Sequence, residues 1–411
     1  MKFKMNSLEK KWVLYDVANS AFTLLVATIM PIYFNFISSS AGISDVDYMA
    51  YWGYATSAAT LIVAFLGPVL GTVSDFKNRK KKFFMLAVLL GAFGCVALGM
   101  IQSWLWFILL FIITKSAYSL SLVFYDAMLT DITTEDRMDQ VSSNGYAWGY
   151  IGSCVPFVLC LVLVLMYDKI GLTLSTAMAI AFALIAIWWF VLTIPLFKSY
   201  EQLHYIEEQD HIIKATWSRL ATVFKDLKKN RKVFMFLIAF FFYIDGVYTI
   251  IDMATAYGSA LGFDSTGLLL ALLLTQIVAF PAAITFGKLA AKYPNHRLIL
   301  ICITAYLLIA LYAIQLDQQY EFWILAFFVG LFQGAIQSLS RSYFARLIPP
   351  EKSGEYFGLY DICGKGAAFL GTFIVSFVSQ LTNSMNFGVG AIAIMFVLGL
   401  YFFNKTRKMA D

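Results

Sequence analysis

GTVSDFKNRKKKF (71–83) joins two long apolar runs, TLIVAFLGPVL (60–70) and FFMLAVLLGAFGCVALGM (83–100). Lys77, Arg79, Lys80, Lys81 and Lys82 crowd into a link a few residues long. About twenty apolar residues span a bilayer as a helix. A short basic link between two such runs is the pattern of a cytoplasmic hairpin, because positively charged loops are retained on that side.

The same alternation continues in both directions. The chain of 411 residues is 60% hydrophobic and 13% charged, roughly half the charge of an average soluble protein at about 25%. A soluble domain this apolar would expose aggregating patches. Ten-residue alternating strand patterns, the mark of an outer-membrane barrel, are absent. The reading is an all-α membrane protein with twelve spans, near 12–38, 48–73, 83–101, 104–129, 139–167, 172–197, 232–259, 264–290, 297–315, 320–347, 354–381 and 386–403. The first apolar run is too long for the core of a signal peptide.

Lys and Arg occupy the even-numbered links and both termini, whereas the odd-numbered links hold Lys169 among Asp45, Asp47, Asp168, Asp264 and Asp317. This asymmetry predicts a multi-pass protein of the cytoplasmic membrane with both termini in the cytoplasm. It also accounts for the net charge of +5 without a nucleic-acid partner. Cys95, Cys154, Cys160, Cys302 and Cys363 lie in apolar segments without metal-ligand spacing and read as small buried hydrophobes.

The long link divides the chain into a six-span half (1–197), a cytoplasmic linker (198–231) and a second six-span half (232–411). In the linker Trp217, Leu220, Ala221, Phe224 and Leu227 recur at helical spacing, which predicts an amphipathic helix on the inner leaflet. The halves repeat: Gly71 and Gly287, Gln102 and Gln318, and Glu135 and Glu351 are each 216 residues apart. A six-span repeat gives both halves the same topology, a parallel repeat about an axis along the membrane normal.

Gly71, Asp75 and Arg79 with the following basic residues resemble the signature loop of the major facilitator superfamily. The second copy, GKLAAKYPNHR (287–297), keeps the glycine and has Ala291 at the Asp position. WVLYDVANSAF (12–22), FYDAMLTDITTEDRMDQVSSNGYAWGYIG (124–152), YIDGVYTI (243–250) and SLSRSYFARLIPPEKSGEYFGLYDICGKGAAFLG (338–371) are similar to the "unknown major facilitator" family, related to autophagy-linked vacuolar amino-acid effluxers. The resemblance implies the major facilitator fold, and it implies a conformational latch formed by Gly71, Asp75 and Arg79. GYAWGYIGSCVPF (145–157) loosely resembles the glycine-proline motif of facilitator antiporters.

Ionisable residues inside spans mark candidate pathways. Asp16, Asn19, Ser20 and Thr23 form one stripe of the first span. Asp16 is also close enough to the basic end to be solvated. Asp245 falls about 20 Å beyond Lys232, and Lys115 about 16 Å from Trp104. Lys365 is also near mid-membrane; Asp361, one turn away, is spaced to pair with it. Asp252 shares a face with Asp245. Gln333, Gln337 and Arg341 form a further stripe, with Arg341 and Asp126 read as solvated or structural residues near the inner ends. The candidate substrate-binding or coupling set is therefore Asp16, Asn19, Lys115, Asp245, Asp252, Gln333, Gln337, Asp361 and Lys365. Gly67-x-x-x-Gly71, Gly145-x-x-x-Gly149 and Gly330-x-x-x-Gly334 predict close helix contacts.

No nucleophile has a base and an orienting partner, and GLYDICGKG (358–366) lacks the spacing and the hydroxyl residue of a phosphate loop. The expectation is a non-enzymatic secondary transporter, without cofactor or metal, that works as a monomer among membrane lipids. It would move a small solute by alternating access, with a zwitterion such as an amino acid suiting the mixed charges. Protons are the expected coupling ion, since desolvation disfavours the charged form of a mid-membrane carboxylate. Efflux is the expected direction. The alternative is a non-transporting sensor or scaffold on the same fold.

Overall fold

The structure is a computed structural model that describes residues 3–207, 230–382 and 384–409. The amphipathic stretch expected around Trp217–Leu227 lies outside the described residues. Fifteen α-helices are described: α1 (Ser7–Ala27), α2 (Ile29–Ser40), α3 (Asp45–Ser74), α4 (Lys80–Leu98), α5 (Trp104–Ala127), α6 (Leu129–Ile132), α7 (Met138–Leu165), α8 (Leu174–Ser199), α9 (Arg231–Ala260), α10 (Ser265–Ala290), α11 (Asn295–Tyr312), α12 (Gln319–Leu347), α13 (Ser353–Thr382), α14 (Met385–Ala391) and α15 (Ala393–Arg407). Among the described residues, eleven spans are long and apolar enough to cross a membrane. The thirty-residue α13, whose described apolar part is Leu370–Thr382, makes the bundle consistent with twelve. Large apolar side chains such as Phe65, Phe93 and Met100 are exposed around its rim, as a lipid-facing surface requires.

The first span is broken where the chemistry breaks it. Pro31 lacks an N–H and its ring crowds the carbonyl four residues back. That residue is Ala27, where α1 ends, and Thr28 leaves helical geometry at φ −130°. Three of the links at the acidic-loop end share one device. Gly42, Gly171 and Gly262 have φ of 77°, 74° and 80°. The amides of Ile43, Leu172 and Phe263 then bond back to Ser38, Tyr167 and Gly258, a Schellman ending. The next residues, Ser44, Thr173 and Asp264, cap the following helix through their side chains.

Two helix sets, residues 7–199 and 231–407, meet where small residues let backbones approach. At Gly71 an added Cβ would collide with the Gly354 carbonyl, and at Gly358 it would lie 2.8 Å from the Gly67 carbonyl carbon. The expected glycine pairs therefore do pack closely. Gly145 and Gly149 of α7 lie against Asp16 and Ser20 of α1, and Gly330 and Gly334 of α12 against Thr275 and Ala283 of α10.

Candidate functional site at the meeting of the two helix sets

The link 75–79 lies at the basic-loop end, where Asn78 takes the left-handed turn at φ 61° that asparagine tolerates. The Asp75 carboxylate is fully buried and accepts the Gly354 and Glu355 amides at 2.8 and 2.9 Å. It therefore caps the start of α13 in the opposite set, where free amides and the helix dipole favour an anion. The cation 3.4 Å from it is Lys80, which also donates to Ser353 Oγ at 2.7 Å. Lys80 thus stands beside the expected latch residues Gly71, Asp75 and Arg79 as a further cation at this seal. Lys80 sits in the same basic run as Arg79, and a lysine in such a run carries no mark of burial.

A strap, residues 200–207, runs beneath this link. Ile206 pairs with Phe76 as an isolated parallel bridge, and Gln202 donates to the carbonyls of Ser74 and Asp75. Asp131 collects Tyr200 Oη at 2.5 Å and the His204 amide and Nδ1 at 3.0 and 2.9 Å, with Lys80 at 4.0 Å. Nearby, Asp139 accepts Ser342 Oγ and Asn295 Nδ2 and pairs with Arg346 at 2.5 Å. Sequence spacing does not reveal these contacts, because their partners come from distant helices.

Deeper, roughly 9–14 Å from the basic ends of α12 and α1 at 1.5 Å per residue, lies a cluster centred on Arg341. Its Nη1 donates to Asp126 at 2.9 Å, its Nη2 to Asp16 at 3.3 Å, and its Nε to Ser142 Oγ at 2.9 Å. The Ser142 carbonyl accepts from Nη2 at 3.1 Å. The guanidinium lies between Tyr146 at 4.4 Å and Trp12 at 4.6 Å, ring to carbon. Arg341 is 2% exposed, so of the two readings, solvated or structural, the solvated one falls. The solvated reading of Asp16 is corrected with it, since 9% of that side chain is exposed. The pairing crosses from α12 to α1 and α5, which only the folded bundle brings together.

Of the stripe on α1, Asp16 and Asn19 are buried, Ser20 is half-buried and Thr23 is exposed. Asn19 is buried and donates to the Tyr15 carbonyl at 2.8 Å and to Asp16 at 3.4 Å, and Thr23 Oγ1 lies 2.6 Å from Tyr118 Oη. On α9, Asp245 is fully buried. Its Oδ1 accepts the Gly371 amide at 3.0 Å and Thr249 Oγ1 at 3.5 Å, and its Oδ2 has no hydrogen-bond partner among the described residues. Tyr243, on the same helix, bonds Ser340. Asp252 is exposed and lies within electrostatic reach of Lys115 of the other set, whose ammonium lies 5.8 Å from the Phe111 ring. Asp361 is half-buried, and the Lys365 side chain lies outside the described ones.

Along α12, Gln337 donates to Tyr150 Oη at 3.2 Å, while Gln333 is buried with its Nε2 unpartnered among the described residues. Gln333, with Thr249, Thr275 and Gln276, supplies polar groups to an otherwise apolar cavity of about 810 Å³, its solvent-open part included. Among the described residues no three His, Cys, Asp or Glu side chains are placed to hold a metal.

A family model described as "Vacuole effluxer Atg22 like" matches residues 7–138 and 130–408. The chain is 40% identical to the uncharacterized MFS-type transporter YxiO of Bacillus subtilis, over 97% of this chain and 95% of that one. It is 26% identical to autophagy-related protein 22-2 of Aspergillus niger, over 63% of this chain and 49% of that protein. The matched part thus spans about half the length of that fungal relative. In fold, it is similar to the human organic anion transporter MFSD10 (TETRAN), with TM-score 0.72 and 13% identity over 97% and 99% of the two chains. It is also similar to the major facilitator superfamily transporter FucP in the outward conformation, with TM-score 0.72 and 14% identity over 98% of each.

Proposed function

Because the chain belongs to the Atg22-like family of major facilitator transporters, we propose that it moves a small zwitterionic solute, such as an amino acid, across the cytoplasmic membrane by alternating access. Its relatives are transporters rather than enzymes, and the chain is a multi-pass membrane protein. In this reading residues 1–197 and 232–411 are the two rocking halves, 198–231 is the linker, and both termini are cytoplasmic. Efflux is the direction the family's description supports, and protons are the coupling ion.

One observation carries this reading: ionisable groups from both halves converge inside a membrane bundle that is sealed at its basic-loop end. Asp75, Asp139 and Arg341 join the halves there through hydrogen bonds or ion pairs. A scaffold has no use for desolvated charges at that interface, since apolar packing would hold it at lower cost. Opposed cations and carboxylates also suit a solute carrying one of each. The latch in this reading is Asp75 under the start of α13, with Gly71 allowing the approach and Arg79 and Lys80 supplying positive charge.

The test is uptake of a labelled mixture of the natural amino acids into proteoliposomes under an imposed pH gradient. Accumulation above protein-free vesicles, lost when the gradient is collapsed, is the expected result. Uptake no greater than in empty vesicles in either membrane orientation would refute it.

A further inference from the structure

The cavity beside Gln333 lies within the second helix set. Its walls come from α9, α10, α11, α12 and α14 and from the turns that follow α11 and α14. None of its lining residues belongs to the first set, so it is separate from the interface where Asp75 and Arg341 sit. Along α12 it runs from Phe322 to Gln333, about 16 Å at 1.5 Å per residue. Gln333 is its deep end, about 21 Å from the start of α12 at Gln319. Phe322 marks the end nearer the acidic loops.

The lining is aliphatic and aromatic, with no Asp, Glu, Lys, Arg or His among its described residues. A zwitterion would leave both of its charges unpaired there, so the cavity does not suit the solute proposed above. The hydroxyls that reach it are already committed. Thr249 donates to Asp245 at 3.5 Å, Thr275 to the Leu272 carbonyl at 2.6 Å, and Tyr257 to the Ala313 carbonyl at 2.8 Å. Gln333 differs from them. It is 3% exposed, and its Nε2 has no hydrogen-bond partner among the described residues. A buried amide without an acceptor costs free energy that a bound acceptor recovers. Water needs several polar partners, and apolar cavities stay dry while taking up small apolar molecules. A concave apolar space with one placed polar group is the usual form of a small-molecule site.

We propose that this cavity binds a neutral, membrane-soluble molecule with an apolar body and one hydrogen-bond acceptor, a carbonyl, ether or hydroxyl oxygen. The Gln333 amide donates to that oxygen at the deep end, and the apolar body lies along α12 toward Phe322. A phospholipid has the opposite polarity, with its headgroup at the membrane surface and its apolar chains deep. Every wall belongs to one helix set, so rocking of the sets moves the cavity as a unit. The occupant then keeps the same contacts in both arrangements and does not shift the balance between them. The site is therefore distinct from the pathway of the transported solute.

The experiment is photolabelling of the purified protein in lipid nanodiscs with an octanol that carries a diazirine, the adducts being located by mass spectrometry. Octan-2-one and octane serve as competitors at equal concentration in the membrane, since they differ by the acceptor. Adducts should concentrate on Met253, Tyr257 and Phe322, which line the cavity. Octan-2-one should displace the label about threefold to tenfold more effectively than octane, the scale of one neutral hydrogen bond. Gln333→Leu should erase that advantage while octane still competes. Ala271→Leu with Ala326→Leu fills the space from two facing helices and should remove the adducts; if that protein does not fold, the Gln333→Leu comparison decides. Adducts spread over lipid-facing residues such as Phe65 and Phe93, with none in the cavity, would overturn the proposal. Equal displacement by the two competitors in the native protein would do the same, as would octan-2-one keeping its advantage in Gln333→Leu. Displacement of the label by amino acids would place the cavity on the solute pathway and overturn its independence.

Discussion

Asp75→Asn is the sharpest probe of the seal between the two helix sets. The native carboxylate is fully buried, accepts the Gly354 and Glu355 amides through separate oxygens, and faces Lys80 at 3.4 Å. An asparagine offers one oxygen. Its amide group turns a donor toward either a backbone N–H or the ammonium, so at least one charge-assisted bond is lost and the other weakened. Each such bond is worth about 1.5–3 kcal/mol, and among the described residues Lys80 keeps Asp131 at 4.0 Å as a carboxylate neighbour. A net loss of about 2–3 kcal/mol for the sealed arrangement corresponds to roughly a 30- to 150-fold shift toward the open one. These bonds tie one set to the other rather than build either one, so membrane insertion should be unaffected. The shift is read with a cysteine at Ser338, fully buried between the sets against Ser142 and Ser143, in a background without native cysteines. Its reaction with a water-soluble maleimide should accelerate by one to two orders of magnitude in Asp75→Asn. An unchanged rate in a variant that inserts normally would show that Asp75 does not hold the sets together and that the loop acts only as a topology signal.

Topology predicts that single cysteines at Asp168 and Asp317 react with an impermeant thiol reagent outside intact cells, while those at Asn78 and Lys292 do not; the reverse pattern would overturn the orientation. Gly145→Val puts a side chain against the Asp16 carboxylate and, at 3.1 Å, the Arg341 guanidinium. Overpacking there should cost about 1–3 kcal/mol, visible as a lowered thermal midpoint in detergent, and a midpoint equal to the native one would contradict the close approach. Asp245→Asn keeps shape while fixing the neutral state. If Asp245 carries a coupling proton, accumulation of the transported amino acid should vanish while counterflow exchange survives, and full pH-driven accumulation would exclude that role.

The spans, their alternation and the polar stripe on the first of them were legible in the sequence, because a bilayer imposes length and hydropathy on each segment separately. The caps at three acidic-loop links went unread although their signal is equally local, since Gly42, Gly171 and Gly262 each stand two residues before a capping Ser44, Thr173 or Asp264. The glycine spacings predicted close contacts correctly, though not that Gly71 meets Gly354 or that Gly145 meets Asp16. Asp75 was legible through its motif, but Lys80 was indistinguishable from its neighbours in a basic run.

Arg341 marks the limit most clearly. Counted along its own helix, it lies near the basic end and reads equally as solvated or structural, because depth along one helix is all that spacing measures. Its burial depends on α1, α5 and α7 closing over it with two carboxylates, a serine and two aromatic faces. These partners stand 199 to 325 residues away in the chain along the Ser142, Asp126 and Asp16 contacts. Hydropathy and local periodicity act within a segment and determine that each helix forms and crosses the membrane. Which charges lose their water is decided between segments, when the two sets pack, and only the tertiary structure shows it.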